Sequence, residues 1–99
     1  MKKKIAILGS TGSIGTQALE VIEEHSDLYE AYILTANNKI DKLIEQARKY
    51  QPEAVVIANE QHYGTLKEAL AGLPIKVYTG AKALKEVVQD EQVDMVLTA

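Results

Sequence analysis

The chain contains no cysteine, which excludes disulfides, thiolate metal sites and cysteine nucleophiles. Long apolar runs are also missing. No stretch approaches the roughly 20 residues that a helix needs to cross a bilayer. The apolar stretch behind Lys2-Lys3-Lys4 ends at Gly9 after four residues, too short for the h-region of a signal peptide, which takes about 7 to 15. Basic residues are outnumbered: 11 Lys and Arg against 14 Asp and Glu give a net charge of -3, whereas a nucleic-acid-binding domain normally shows a basic face. Lys2-Lys3-Lys4 is the only basic run and reads as a solvated lead-in to the first strand. His25 and His62 lack zinc-type spacing with a second ligand, and no stretch is rich enough in Pro, Gly or Ser to be a linker. A cytoplasmic location fits these absences, and neither a membrane nor a nucleic acid is expected as a partner. At 99 residues, 46% hydrophobic and 25% charged, it is expected to form one compact domain with a real core.

What is present begins with Gly9-Ser10-Thr11-Gly12-Ser13-Ile14-Gly15, between the apolar run Ile5-Ala6-Ile7-Leu8 and the helical pattern Ala18-Leu19-Val21-Ile22. Strand, glycine turn and helix in that order are the parts of a dinucleotide-binding βα turn. Gly9 lets the strand turn sharply, Gly12 lets backbone approach a pyrophosphate, and Gly15 lets the helix pack close to the sheet. The helix opens with free N–H groups and a positive dipole end. Ser10 and Ser13 read as phosphate hydrogen-bonders, since no G-x-S-x-G nucleophile elbow exists.

Beyond the turn, strand and helix alternate to the end. Ile14, Ala18, Val21 and Ile22 mark the first helix. Ala31 to Leu34 form a second strand, and Ile40, Leu43, Ile44 and Ala47 a helix that stops before Pro52. Ala54 to Ala58 read as a fully buried parallel strand. Tyr63, Leu66 and Leu70 carry a third helix closed by Gly72 and Pro74. Ile75 to Tyr78, a short helix around Leu84, Val87 and Val88, and a buried-looking strand at Met95-Val96-Leu97 complete the pattern. The alternation predicts an α/β fold, a Rossmann-type doubly wound parallel sheet of strand order 3-2-1-4-5 with helices on both faces. Such a sheet normally continues with another helix and strand, so residues 1–99 are expected to be one incomplete domain, truncated before those elements.

The cofactor is read from the loop after the second strand. NAD-specific sheets place an Asp or Glu there to hold the ribose hydroxyls; here Ala36, Asn37, Asn38 and Lys39 occupy it, with no carboxylate before Asp41. A carboxylate would repel a 2′-phosphate, so its absence, with Lys39 as a point charge, points to NADP(H). An ordinary turn and helix cap made by Asn37 and Asn38 is the plainer reading of the same residues, and the two are compatible. A free-standing nucleotide-sensing module without catalysis is an alternative for the whole chain. A phospho-receiver with a similar sheet would want carboxylates where Gly9-Ser10 and Ala58-Asn59 stand.

The segment Ile7 to Gln17 with Leu19 to Ile22, together with Leu43 to Arg48, Pro52 to Ile57 and Val93 to Val96, closely resembles the amino-terminal part of the 1-deoxy-D-xylulose 5-phosphate reductoisomerases. The resemblance implies an NADPH-dependent oxidoreductase of non-mevalonate isoprenoid biosynthesis. Magnesium or manganese holds the sugar phosphate in that family, the carbon skeleton rearranges, and NADPH reduces the aldehyde to 2-C-methyl-D-erythritol 4-phosphate. By position, Thr11, Gly12, Ser13 and Ile14 would contact the cofactor, with Ala36 to Lys39 near its 2′-phosphate. Many members carry Gly-x-Asn where this chain has Asn37-Asn38-Lys39. The family's metal-binding carboxylates, catalytic loop and dimer-forming elements follow a longer amino-terminal domain, so no catalytic or metal residue is assigned within residues 1 to 99. The full-length protein is expected to be a homodimer, and these 99 residues alone are expected to bind NADPH weakly or partially and to be inactive.

Overall fold

The computed structural model describes residues 2–99. Five strands, β1 (Lys3–Leu8), β2 (Tyr29–Ala36), β3 (Ala54–Ile57), β4 (Lys76–Thr79) and β5 (Met95–Thr98), alternate with four helices, α1 (Ser13–Glu24), α2 (Ile40–Tyr50), α3 (Tyr63–Ala69) and α4 (Ala81–Val88). A 3₁₀ turn at Glu60–His62 leads into α3. All four strand pairings are parallel, and the sheet order is β4-β3-β2-β1-β5. The α/β doubly wound class and the β3-β2-β1 half are as expected from sequence. The fourth strand differs from the expected order: it lies outside β3, and β5 takes the place beside β1.

The residues explain this placement. A strand beside β1 and between two others would be buried on both faces, whereas β4 reads Lys-Val-Tyr-Thr and alternates exposed and half-buried positions. That pattern, with Lys76 on it, suits an edge. The order then dictates the helix layers, because parallel crossovers are right-handed. From β1 through β4 the chain steps in one direction, so α1, α2 and α3 lie together. They supply Leu19, Ile22, Leu43, Ala47, Leu66 and Leu70 to one core with Ile5, Ile7, Leu34, Val55 and Ile57. The chain then crosses back from β4 to β5, which puts α4 on the opposite face. There Val87 and Val93 pack against Ala6, Ile33 and Ala54. Each fully buried Leu or Ile contributes about 1.5–3 kcal/mol relative to exposure, so the three-helix face dominates stability.

Two packing details were not legible in the periodicity. Ile5 pairs with Ala31 and Ala6 with Ile33, so β2 carries one extra residue, Tyr32, in that interval. This bulge lets Ala31 and Leu34, three residues apart, face the same core. On α1 the buried stripe is Gly15, Leu19 and Ile22, while Ile14 and Val21 are exposed. The last strand is likewise more open than expected: Met95 and Val96 are 47% and 44% exposed, and β5 forms the sheet edge beyond β1.

Candidate nucleotide-binding site

The reversal of strand order falls at β1, whose neighbours β2 and β5 are reached by connections on opposite faces. Ligands of open α/β sheets bind in the crevice at such a point, beyond the carboxyl ends of the strands. The glycine turn leaves β1 at that end. Gly9 has φ +82, a left-handed conformation that L side chains rarely adopt. Its N–H donates to Thr35 Oγ1 at 3.0 Å, and Ser10 N–H donates to the Thr35 carbonyl at 2.9 Å. The turn is thus tied to the end of β2 immediately before the loop that follows it.

Gly15 serves a different purpose. A Cβ there would meet the Gly9 carbonyl oxygen and would lie 2.6 Å from Ser10 Cα and 2.8 Å from Ser10 C, so only glycine lets α1 rest on the turn. Gly12 precedes α1 as its N-cap, with extended backbone and no side-chain cap. The first-turn amides of an α-helix have no carbonyl one turn back to accept them. Those of the exposed Ser13 and Ile14 therefore remain available, at the positive end of the helix dipole. Gly12 and Ser13 are exposed, and Gly9, Thr11, Gly12, Ser13, Ile14, Thr35, Ala36, Asn37 and Ala99 line a cavity of about 400 Å³ at this end of the sheet. Backbone donors at a helix start, next to a glycine without a Cβ, form an anion-binding arrangement.

Not every residue predicted from sequence faces this cavity. Ser10 is fully buried, and its hydroxyl donates to Gln46 Oε1 at 2.8 Å. Gly15 is buried under the turn as packing. Ala36 and Asn37 line the cavity. Asn38 accepts a hydrogen bond through Oδ1 from Asn59 Nδ2 at 2.7 Å, and Asn59 N–H donates to the Asn37 carbonyl at 3.0 Å. The expected asparagine cap does not form: the N-cap of α2 is Lys39, and no side chain caps that helix.

Lys39 opens onto a second depression, lined also by Thr11, Gly12, Ser13, Thr16, Gln17 and Lys42. Sequence reasoning missed Lys42, although three residues after Lys39 on a helical turn puts it on the same side. Neither lysine makes an ion pair among the described residues. Asn59 and Thr35 were also missed. Both stand at the carboxyl ends of strands next to β1 or β2, which is the signal that could have found them.

Behind the turn, a narrower crevice of about 140 Å³ separates α1 from α2. Its far end is closed by Tyr50, whose hydroxyl donates to Glu23 Oε2 at 3.2 Å, and by the Lys49–Glu23 ion pair at 3.3 Å. Partial burial first, and then the bond to Glu23, raise the Tyr50 phenol above its usual range. The bond to Glu23 likewise raises Lys49. These groups fasten the two helices and lie away from the free amides of the turn. Among the described residues, no group of three or more His, Asp or Glu could hold a metal ion, and no helix is long and apolar enough to cross a membrane.

Comparison with known proteins agrees with this geometry. The model of the family described as 1-deoxy-D-xylulose 5-phosphate reductoisomerase matches residues 5–99. A 1-deoxy-D-xylulose 5-phosphate reductoisomerase of Phocaeicola vulgatus is 69% identical over 99 residues, covering 100% of this chain and 26% of the relative. Among solved structures, a 1-deoxy-D-xylulose 5-phosphate reductoisomerase from Zymomonas mobilis in complex with NADPH superposes with a TM-score of 0.82 at 40% identity, covering 87% of this chain and 23% of that one. A DOX-P reductoisomerase in complex with NADPH, fosmidomycin and magnesium superposes with a TM-score of 0.89 at 34% identity, covering 95% and 23%. The chain thus spans about a quarter of the length of the curated relatives it matches. It belongs to the 1-deoxy-D-xylulose 5-phosphate reductoisomerase family.

Proposed function

We propose that residues 1–99 are the NADPH-binding Rossmann domain of a 1-deoxy-D-xylulose 5-phosphate reductoisomerase. In this reading the whole protein is a cytoplasmic homodimer that converts 1-deoxy-D-xylulose 5-phosphate to 2-C-methyl-D-erythritol 4-phosphate. NADPH supplies the hydride that reduces the rearranged aldehyde. The observation that carries the reading is the uncapped start of α1, opening beside the exposed Gly12 into the cavity at the strand-order reversal. The amides of Ser13 and Ile14 hold the pyrophosphate, and Thr11 and Gly12 form the floor it approaches. Ala36 and Asn37 border the adenosine ribose, and Lys39, with Lys42 beside it, provides positive charge for the 2′-phosphate. Asn38 is held by Asn59 and shapes that loop. Ser10 and Gly15 act from behind the turn through hydrogen bonding and packing.

The described residues do not suit a divalent metal, since no group of three or more acidic or imidazole side chains that could hold one exists among them. The magnesium or manganese of the reaction is accordingly assigned to residues beyond these 99, as are the catalytic groups. Calorimetric titration of this chain with NADPH and with NADH tests the reading. NADPH is expected to bind several-fold more tightly than NADH, and equal affinities or tighter NADH binding would overturn the assignment of the second loop.

A further inference from the structure

The glycine turn is held from behind by a residue that does not reach the cavity. Gln46 lies on the buried face of α2, 7% exposed, between the fully buried Leu43 and Ala47. Its Nε2 donates to the Ser10 carbonyl at 2.8 Å, and its Oε1 accepts from Ser10 Oγ at 2.8 Å. The amide orientation follows from chemistry: the Ser10 carbonyl can only accept, so the NH₂ must face it and the oxygen must take the hydroxyl proton. With Ser10 N–H on the Thr35 carbonyl, every polar group of Ser10 is satisfied inside the protein. The residue between Gly9 and Thr11 is thereby locked to α2 on one side and β2 on the other. Buried networks of this kind, once fully satisfied, fix a single geometry, and removing one partner strands the others without water.

We propose that Gln46 is a positioning residue for the cofactor: through Ser10 it sets where the glycine turn presents the first amides of α1 to a pyrophosphate, without contacting the nucleotide. The inference rests on the assignment of NADPH to this turn. Because the pyrophosphate is common to NADPH and NADH, disturbing the lock weakens both alike, which separates Gln46 from a 2′-phosphate contact. Gln46→Leu keeps the approximate volume and removes both hydrogen bonds. Ser10→Ala removes only the hydroxyl and leaves Gln46 bonded to the carbonyl.

The test is calorimetric titration of the wild-type chain, Q46L, S10A and the double variant with NADPH and NADH, at a temperature where circular dichroism shows each fully folded. Q46L is expected to lose about tenfold in affinity for both nucleotides with their ratio unchanged, S10A about two- to threefold, and the double variant no more than Q46L, because the two side chains act as one unit. A purely structural role would lower the melting temperature of Q46L and leave both affinities as they were, and that result overturns the proposal. If Q46L does not fold, S10A decides: unchanged affinity in S10A overturns the proposal, and a two- to threefold loss in both nucleotides supports it. A wild-type chain that binds neither nucleotide would instead overturn the NADPH assignment on which the proposal rests.

Discussion

Gly15→Ala is expected to lower the melting temperature by roughly 8 °C or more and to cost at least about tenfold in NADPH affinity. Helix propensity alone favours the substitution by about 1 kcal/mol. The added methyl, however, would sit 2.6 Å from Ser10 Cα and 2.8 Å from Ser10 C, facing backbone that has no rotamer to change. Overpacking a tight contact costs about 1–3 kcal/mol and sometimes more. Rigid backbone on both sides puts this one at or above the top of that range, a net loss of about 2 kcal/mol or more. A domain of this size has only about 5–15 kcal/mol of stability in total. If α1 instead moves off the turn to relieve the clash, its free amides no longer converge, and each charge-assisted hydrogen bond lost to a pyrophosphate costs about 1.5–3 kcal/mol.

Gly12→Ala is the matched control. Its Cβ would have one neighbour, the Gly9 carbonyl oxygen, at an ordinary 3.7 Å, and its φ of -79 suits alanine. Stability should change by less than about 1 kcal/mol, while the methyl intrudes on the approach to the amides and weakens both nucleotides. Thermal unfolding monitored by circular dichroism, paired with titration, separates the two glycines. A Gly15→Ala chain as stable as wild type would show that α1 does not rest on the turn.

Neutralising both lysines of the second depression is expected to have the next largest effect. Lys39→Ala/Lys42→Ala should lower NADPH affinity by about tenfold at low ionic strength, leave NADH affinity within about twofold, and so erase most of the preference between them. Both side chains are exposed. Exposed charge pairs are worth about 0.2–1 kcal/mol each, which sets a two-lysine sum near a factor of ten for a phosphate carrying more than one charge. The same exposure makes the effect salt-dependent, since the screening length falls from about 10 Å at 0.1 M to about 3 Å at 1 M. Wild-type selectivity should therefore decline toward that of the double variant as salt rises. A double variant that retains the wild-type preference would move the 2′-phosphate away from α2.

What the sequence made legible follows the range of the interactions. The turn after β1 was readable because glycine spacing, an apolar strand and a helical pattern are all local. The roles expected for Gly9 and Gly15 match the left-handed φ of the first and the backbone contact of the second. Ser10 was misread as facing a phosphate because its partners, Thr35 and Gln46, lie 25 and 36 residues away. A clue existed in Gln46 itself, a polar residue between Leu43 and Ala47 on an otherwise apolar helix face. The position of β4 depended on whether Lys76 could be buried, and a charged residue in a strand as short as Lys76–Thr79 marked the edge. Tyr32 could not have been recognised as a bulge, because Ala31 to Leu34 are apolar throughout and alternation cannot register an inserted residue.

The most direct test is to locate the nucleotide on the chain. With ¹⁵N-labelled protein titrated with NADPH, the largest amide shifts are expected at Gly12, Ser13, Ile14 and Gly15, followed by Asn37 to Lys39. With NADH the first group should shift similarly and the second much less. Shifts centred on the crevice between Thr16 and Tyr50, or on the α4 face of the sheet, with the amides of the turn unmoved, would contradict the assignment of the pyrophosphate to the start of α1.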